Sequence, residues 1–110
     1  MTVSEMTAMM DLRPVWSGWE NREIKGVHSS DLLSDVMANA VDGALLITIQ
    51  AHKNTIAVAT LKDLSAVLIC SDRPIPEDMA EAAKDEGIPV FVTAMNQYEA
   101  CWRVHGILGS

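Results

Sequence analysis

Basic residues are scarce in this sequence. Eight Lys and Arg stand against fifteen Asp and Glu, a formal net charge of −7 at neutral pH. Nucleic acids and anionic membranes are bound chiefly through Lys and Arg clusters, so neither is an expected partner. One local anion site stays open to such a chain, because backbone N–H groups at a helix start bind phosphate without side-chain charge. Long apolar runs are missing as well. No stretch reaches the roughly 18 residues that a membrane-crossing helix needs. Met1-Thr2-Val3-Ser4-Glu5 opens the sequence without a basic start, so no targeting segment is expected and the expected location is the cytoplasm. There are only two cysteines, Cys70 and Cys101, each beside apolar residues. They read as free thiols rather than as a disulfide framework. With the three histidines they show no zinc-like spacing, and no metal is expected. Neither a Gly-x-Gly-x-x-Gly fingerprint nor a P-loop occurs. The usual machinery for dinucleotide binding and phosphoryl transfer is therefore lacking, and no cofactor is expected.

What is present is ordinary globular material. The 110 residues are 49% apolar and 21% charged, enough for one core and too apolar for disorder. Residues 1–110 read as a single domain. Thr2 and Glu5 form a capping box for a helix over about 3–10 that carries Met6, Met9 and Met10. Leu12 to Trp16 reads as a short strand, which Pro14 restricts to an edge. The alternation over Arg22 to His28 predicts a half-exposed strand ending near Gly26. Ser29-Ser30-Asp31 supplies cap candidates and an acid for the next helix, whose face is Leu32, Leu33, Val36, Met37 and Ala40, with Asp42-Gly43 ending it.

Three apolar runs then follow, at 44–49, 66–70 and 89–93. Strands apolar on both faces belong to a parallel sheet covered on each side. Parallel neighbours need crossovers of a dozen or so residues. For that reason 54–63 is assigned to a helix capped by Asn54, although Ile56, Val58 and Thr60 alternate as in a strand. Pro76 opens a further helix that Gly87 ends. The last helix starts near Asn96, with Tyr98, Cys101, Trp102 and His105 sharing an apolar face, where Tyr98 and Trp102 read as packing residues and His105 as a core or interface histidine. The expected order is α-β-β-α and then β-α three times: a three-layer α/β/α domain with a mostly parallel sheet.

Ligands of open parallel sheets collect at the carboxyl ends of strands. The first such end offers Thr48, Gln50, His52 and Asn54, the second Ser71 and Asp72, the third Thr93. Gln50, His52, Asn54, Ser71 and Thr93 are therefore the candidate ligand-binding residues. Ser29 and Ser30, beside His28, are a further candidate for an anion. The same polar residues would serve equally as caps of strand–helix turns. No motif links a nucleophile to a base and an orienting group, so no catalytic residue is assigned.

The run Asn21-Arg22-Glu23-Ile24-Lys25-Gly26-Val27-His28-Ser29-Ser30-Asp31-Leu32-Leu33-Ser34-Asp35-Val36-Met37-Ala38-Asn39-Ala40 resembles the signature region of DRTGG domains. Ile47-Thr48-Ile49-Gln50-Ala51-His52-Lys53-Asn54 resembles a second run of the small stand-alone members, and the likeness extends over about residues 3–108. Asn21 stands where the family prefers Asp, Val27 where a second Gly is usual, and His28 where an aromatic is common. The resemblance implies a fold like the non-catalytic amino-terminal domain of HPr kinase/phosphorylase. It implies a regulatory or ligand-binding role without enzymatic activity, accessory to hydrogenase or other redox complexes. The expected partners are a second copy of the chain, a small polar or phosphorylated ligand, and a redox-complex protein. The alternative is an interaction or assembly module that binds no small ligand; a small enzyme is a third reading.

Overall fold

The computed structural model describes residues 1–108. The chain forms helix α1 (Val3–Met9), strands β1 (Arg13–Pro14) and β2 (Gly26–Ser29), then α2 (Leu33–Asn39), β3 (Ala44–Thr48), α3 (Lys53–Leu61), β4 (Ala66–Ile69), α4 (Glu77–Glu86), β5 (Val90–Val92) and α5 (Gln97–Leu108). This is the order expected from the sequence. The five strands make one sheet in the order β1-β5-β4-β3-β2. From β2 to β5 all neighbours are parallel, with Leu46 opposite Val67 and Leu68 opposite Phe91. β1 pairs antiparallel with β5, Arg13 opposite Val92, so Pro14 does sit on an edge strand.

Strand residues alternate between two cores, as the two-residue period of a pleated strand requires. Leu46, Val67, Ile69 and Val90 face Val36 of α2, Ile56 and Ala59 of α3, and Met79 and Ala83 of α4. Leu45, Ile47, Leu68 and Phe91 face Val3 and Met6 of α1 and Ala100 and Val104 of α5. Helices therefore cover both faces, giving three layers. The alternation of Ile56, Val58 and Thr60 does not produce a strand. Thr60 Oγ1 donates to the Ile56 carbonyl one turn back at 3.0 Å, and Thr55 and Ile56 are fully buried against the sheet. The parallel pairing of β3 and β4 requires a crossover here, which overrides local preference.

Several boundaries and faces differ from expectation. β2 starts at Gly26 rather than ending there. The residues before it are held from outside, with Ile24 N–H donating to the Met1 carbonyl at 2.9 Å and Arg22 reaching the Leu64 carbonyl at 3.0 Å. Val27, where the resembling family has glycine, is mid-strand opposite Leu45. Ser29 is a strand residue, and α2 is entered from Leu32 with no side-chain cap. α2 closes on Ala40, before Asp42-Gly43. Only Val36 and Ala40 of its expected face are buried, while Leu32 and Met37 are exposed. His52, not Asn54, caps α3, and Pro76 stands at the cap of α4 rather than in its first turn. On α1, Met6 and Met10 are buried and Met9 is exposed.

The largest reversal is on α5. Tyr98 is 83% and Trp102 67% exposed, and His105 is also exposed, so His105 is not a core histidine. Cys101 is half-buried. Ala100 and Val104 form the inner face instead. Helical spacing identifies residues that share a face. It does not say which face turns inward, and here two small side chains bring the helix close to the sheet.

Candidate functional site

The carboxyl ends of β2, β3, β4 and β5 lie along one edge of the sheet, because these strands are parallel neighbours. The group that organises this edge is Asp31, just beyond β2. Its Oδ1 accepts from Thr48 Oγ1 at 2.8 Å, from the Ile49 N–H at 2.9 Å and from Gln97 Nε2 at 3.0 Å. One carboxylate oxygen thus ties the β2 exit to the β3 exit and to the start of α5. Thr48 is fully buried and also accepts from the Gln50 N–H at 3.1 Å. The sequence reading took Asp31 only as an acid for the first turn of a helix. Its partners stand 17 and 66 residues away, beyond the reach of any local pattern.

The candidates named from sequence are placed as follows. Gln50 keeps an exposed side chain while its carbonyl accepts from Thr55 Oγ1 at 2.8 Å. His52 Nδ1 accepts from the Asn54 N–H at 3.0 Å. An imidazole that accepts at Nδ1 in its neutral form carries its proton on Nε2, so the cap fixes the tautomer. Asn54 lines a groove of about 420 Å³ between α3 and α4, together with Lys53, Ala57 and Leu61. Thr93 is buried, and its Oγ1 accepts from the Met95 N–H at 3.2 Å. Ser30 Oγ accepts from the Leu32 N–H at 3.2 Å in the turn before α2, and Ser29 is exposed on β2. Ser71 is exposed just past β4.

Ser71 and Asp72 are backbone outliers. Their φ angles are 60° and 52°, two successive non-glycine residues in the left-handed region. That conformation costs roughly 1–2 kcal/mol per residue. It is held by the next strand's exit: Ser71 N–H donates to the Met95 carbonyl and Asp72 N–H to the Thr93 carbonyl, both at 2.8 Å. Asp72 also forms a salt bridge with Arg13 of β1. The exits of β4 and β5 are thereby clamped together, as Asp31 clamps β2 to β3.

Two titratable groups near this edge are displaced. The hydrogen bond from His28 Nε2 to Asp35 Oδ2, 2.8 Å long, lowers the Asp35 carboxyl to about 2, with further hydrogen bonds from Asn39 and Ser30 acting the same way. His28, half-buried on β2, is thus engaged with Asp35. Burial pushes the Cys70 thiol up to about 12, and the proximity of Cys101 and Asp31 adds to this. At neutral pH Cys70 stays protonated and is a poor nucleophile.

No protein-family model matches the chain, and no curated protein matches it significantly. The edge is therefore read from its own chemistry: two clamped pairs of strand exits, with Gln50, His52 and Ser71 facing solvent between them.

Asp31→Ala strips a charged acceptor from three donors, one of them the buried Thr48 hydroxyl. A loss of about 2–3 kcal/mol is expected, read as a lower urea midpoint at unchanged slope. Gln97→Ala, which removes one part-buried donor, should cost about 1 kcal/mol. Asp35 should show itself at acid pH. A carboxyl lowered in the fold stabilises above its ordinary value of 3.8, and the contribution disappears as pH falls toward 2. Asp35→Asn should flatten the decline in urea midpoint over that window and leave its shape above about pH 5 unchanged.

Proposed function

We propose that the chain is a non-catalytic regulatory domain that binds a small polar or phosphorylated ligand at the carboxyl edge of its sheet. The observation that carries this is the left-handed Ser71-Asp72 pair. Strained non-glycine residues persist only where their surroundings hold them, and they cluster at ligand clamps and switches. Here the strain holds an exposed serine between the β3 and β5 exits. The three other features of the edge point the same way. Its loops are pre-ordered by Asp31 and by the Thr93–Met95 turn, which lowers the entropy lost on binding. His52 is exposed, and with Nδ1 engaged in the cap its Nε2 is left for a ligand. Cys70, at the exit of β4, is protonated and buried, so it offers no thiolate for catalysis. The resemblance to DRTGG domains, and through them to the amino-terminal domain of HPr kinase/phosphorylase, suggests the regulatory setting and a redox-complex partner.

A second reading, assembly without a small ligand, is favoured by α5. Tyr98 and Trp102 stand one turn apart, both largely exposed. Aromatic side chains on an outer helix face are typical anchors of protein interfaces. A homodimer joined through this face is the simplest closed arrangement.

The ligand reading is tested by thermal melts with inorganic phosphate, nucleotides and sugar phosphates. A compound at 100 times its Kd should add about 2.7 kcal/mol of apparent stability. His52→Asn keeps a capping side chain but removes the Nε2 donor. It should weaken that compound about tenfold while moving the ligand-free melt little, whereas His52→Ala should itself cost about 1 kcal/mol through the lost cap. Absence of any stabilising compound would discard the ligand reading.

The assembly reading is tested by light scattering at micromolar concentration. A dimer is expected, and Trp102→Glu should dissociate it to monomers with its melt preserved. A wild-type monomer would discard the α5 interface.

A further inference from the structure

The opposite edge of the sheet holds a second concavity. Residues 15–25 leave β1 at one margin of the sheet and reach β2 at the other, crossing the amino ends of the parallel strands. Backbone hydrogen bonds hold both ends of this strap, from the Val15 N–H to Val90 and from the Ile24 and Lys25 N–H groups to Met1 and Gly43, and two side chains pin its span. Trp16 Nε1 donates to the Ile88 carbonyl at 2.8 Å. Arg22 donates to the carbonyls of Leu64 and Asp63 at 3.0 and 3.3 Å, and pairs with the Asp63 carboxylate at 3.1 Å. Between strap and helix ends lies a pocket of about 400 Å³, whose wall includes Trp16, Trp19, Glu20, Arg22, Asp63 and Glu86.

The chemistry of this wall is one-sided. Three carboxylates face one guanidinium, and that guanidinium is already committed to Asp63 and two carbonyls. Helices of a parallel crossover run antiparallel to their strands, so α3 and α4 both end here. Thr60, Glu86 and Gly87 bring their carboxyl termini into the wall. Helix carboxyl termini carry partial negative charge and favour cations. Two indoles complete the wall, and the faces of tryptophan are the best aromatic surfaces for a cation. Trp19 is held by Phe91 in a T-shaped pair, with ring centroids 5.5 Å apart and planes at 83°. The volume lies within the range of small-molecule pockets. Carboxylates, helix carboxyl termini and indoles are three independent features, and each repels an anion and attracts a positively charged organic group.

We propose that this amino-edge pocket binds a small organic cation, an alkylammonium or guanidinium compound, with Trp16 and Trp19 against its charged head and Glu20 and Glu86 as its counter-ions. The inference goes beyond the regulatory reading above and does not rest on it, since the two sites lie at opposite edges of the sheet.

The test uses choline and agmatine as probes on a Trp102→Phe background, so that tryptophan emission reports only Trp16 and Trp19. Controls are 3,3-dimethylbutan-1-ol, the uncharged isostere of choline, and inorganic phosphate. At least one cation should give a saturable emission change and calorimetric heat with a Kd tighter than about 1 mM. The isostere should bind at least about tenfold more weakly, and E20Q/E86Q should weaken the cation about tenfold or more. Both glutamates are exposed, so these variants should keep the parent melt. If their melt falls, salt dependence on the unmutated background replaces them, and affinity should drop as ionic strength rises. The proposal is overturned if no cation saturates the signal by about 10 mM, if the neutral isostere binds as well as choline, or if affinity is indifferent to both the glutamates and salt. His52→Asn should leave cation binding unchanged, which separates this pocket from the carboxyl edge.

Discussion

Strands β2 to β5 lie side by side in the order in which they occur in the chain. Each link between parallel neighbours is a helix, and such crossovers turn with one hand. Three successive crossovers in one direction must place α2, α3 and α4 on the same face, where the first core is found. The other face is equally apolar, through Leu45, Ile47, Leu68 and Phe91, and cannot be left to water. Only segments outside the crossover series are free to cover it. α1 and α5 do so, and β1 caps the β5 margin by pairing antiparallel. A monotonic strand order also leaves no reversal within the parallel series, the place where open α/β sheets usually part to make a ligand crevice. Any recognition at the carboxyl edge must therefore come from the loops themselves. This explains why that edge is defined by clamps, Asp31 at one pair of exits and Ser71-Asp72 at the other, rather than by a cleft.

The parts of this arrangement that could be read from the amino acids were those with a local cause. Runs such as Ala44-Leu45-Leu46-Ile47 and Ala66-Val67-Leu68-Ile69 have no polar side, so a doubly covered parallel sheet was the consistent solution. The helical state of 54–63 followed from the connection it had to make, against the preferences of Ile56, Val58 and Thr60. Direction was not legible. The spacing of Tyr98, Trp102 and His105 was read as one face of core or interface residues, and the core half of that reading failed, because Ala100 and Val104 carry too little bulk to announce a core. Caps were misassigned by two residues at α3, where an imidazole acts as the acceptor in place of the commoner asparagine.

The candidate site was legible as a place more than as a set of roles. Gln50, His52, Ser71 and Thr93 were expected at the strand ends from the periodicity of their neighbours. Capping of turns was the other reading of the same residues, and Thr93 and His52 do hold turns, accepting from the Met95 and Asn54 N–H groups. Asp31 escaped because its meaning depends on Thr48 and Gln97, which only the folded sheet brings near. The amino-edge pocket escaped for a similar reason. Trp16, Trp19 and Glu20 are close in sequence, but Asp63 and Glu86 reach them only when two helices end at the same margin.

The pairing of β1 with β5 joins residues such as Arg13 and Val92 across most of the chain. During synthesis from the amino terminus, the first of these five strands to be made is therefore the last to find its neighbour. The crossover units from β2 to β4 can form in succession as they emerge, each contact spanning a short stretch of chain. Meanwhile the face carrying Leu45, Ile47 and Leu68 has α1 available but lacks α5, which emerges after β5. A nascent chain of this protein thus passes through a half-roofed stage whose bare apolar strip is covered only once α5 has emerged. Premature release would expose that strip to neighbouring chains and to proteostasis factors.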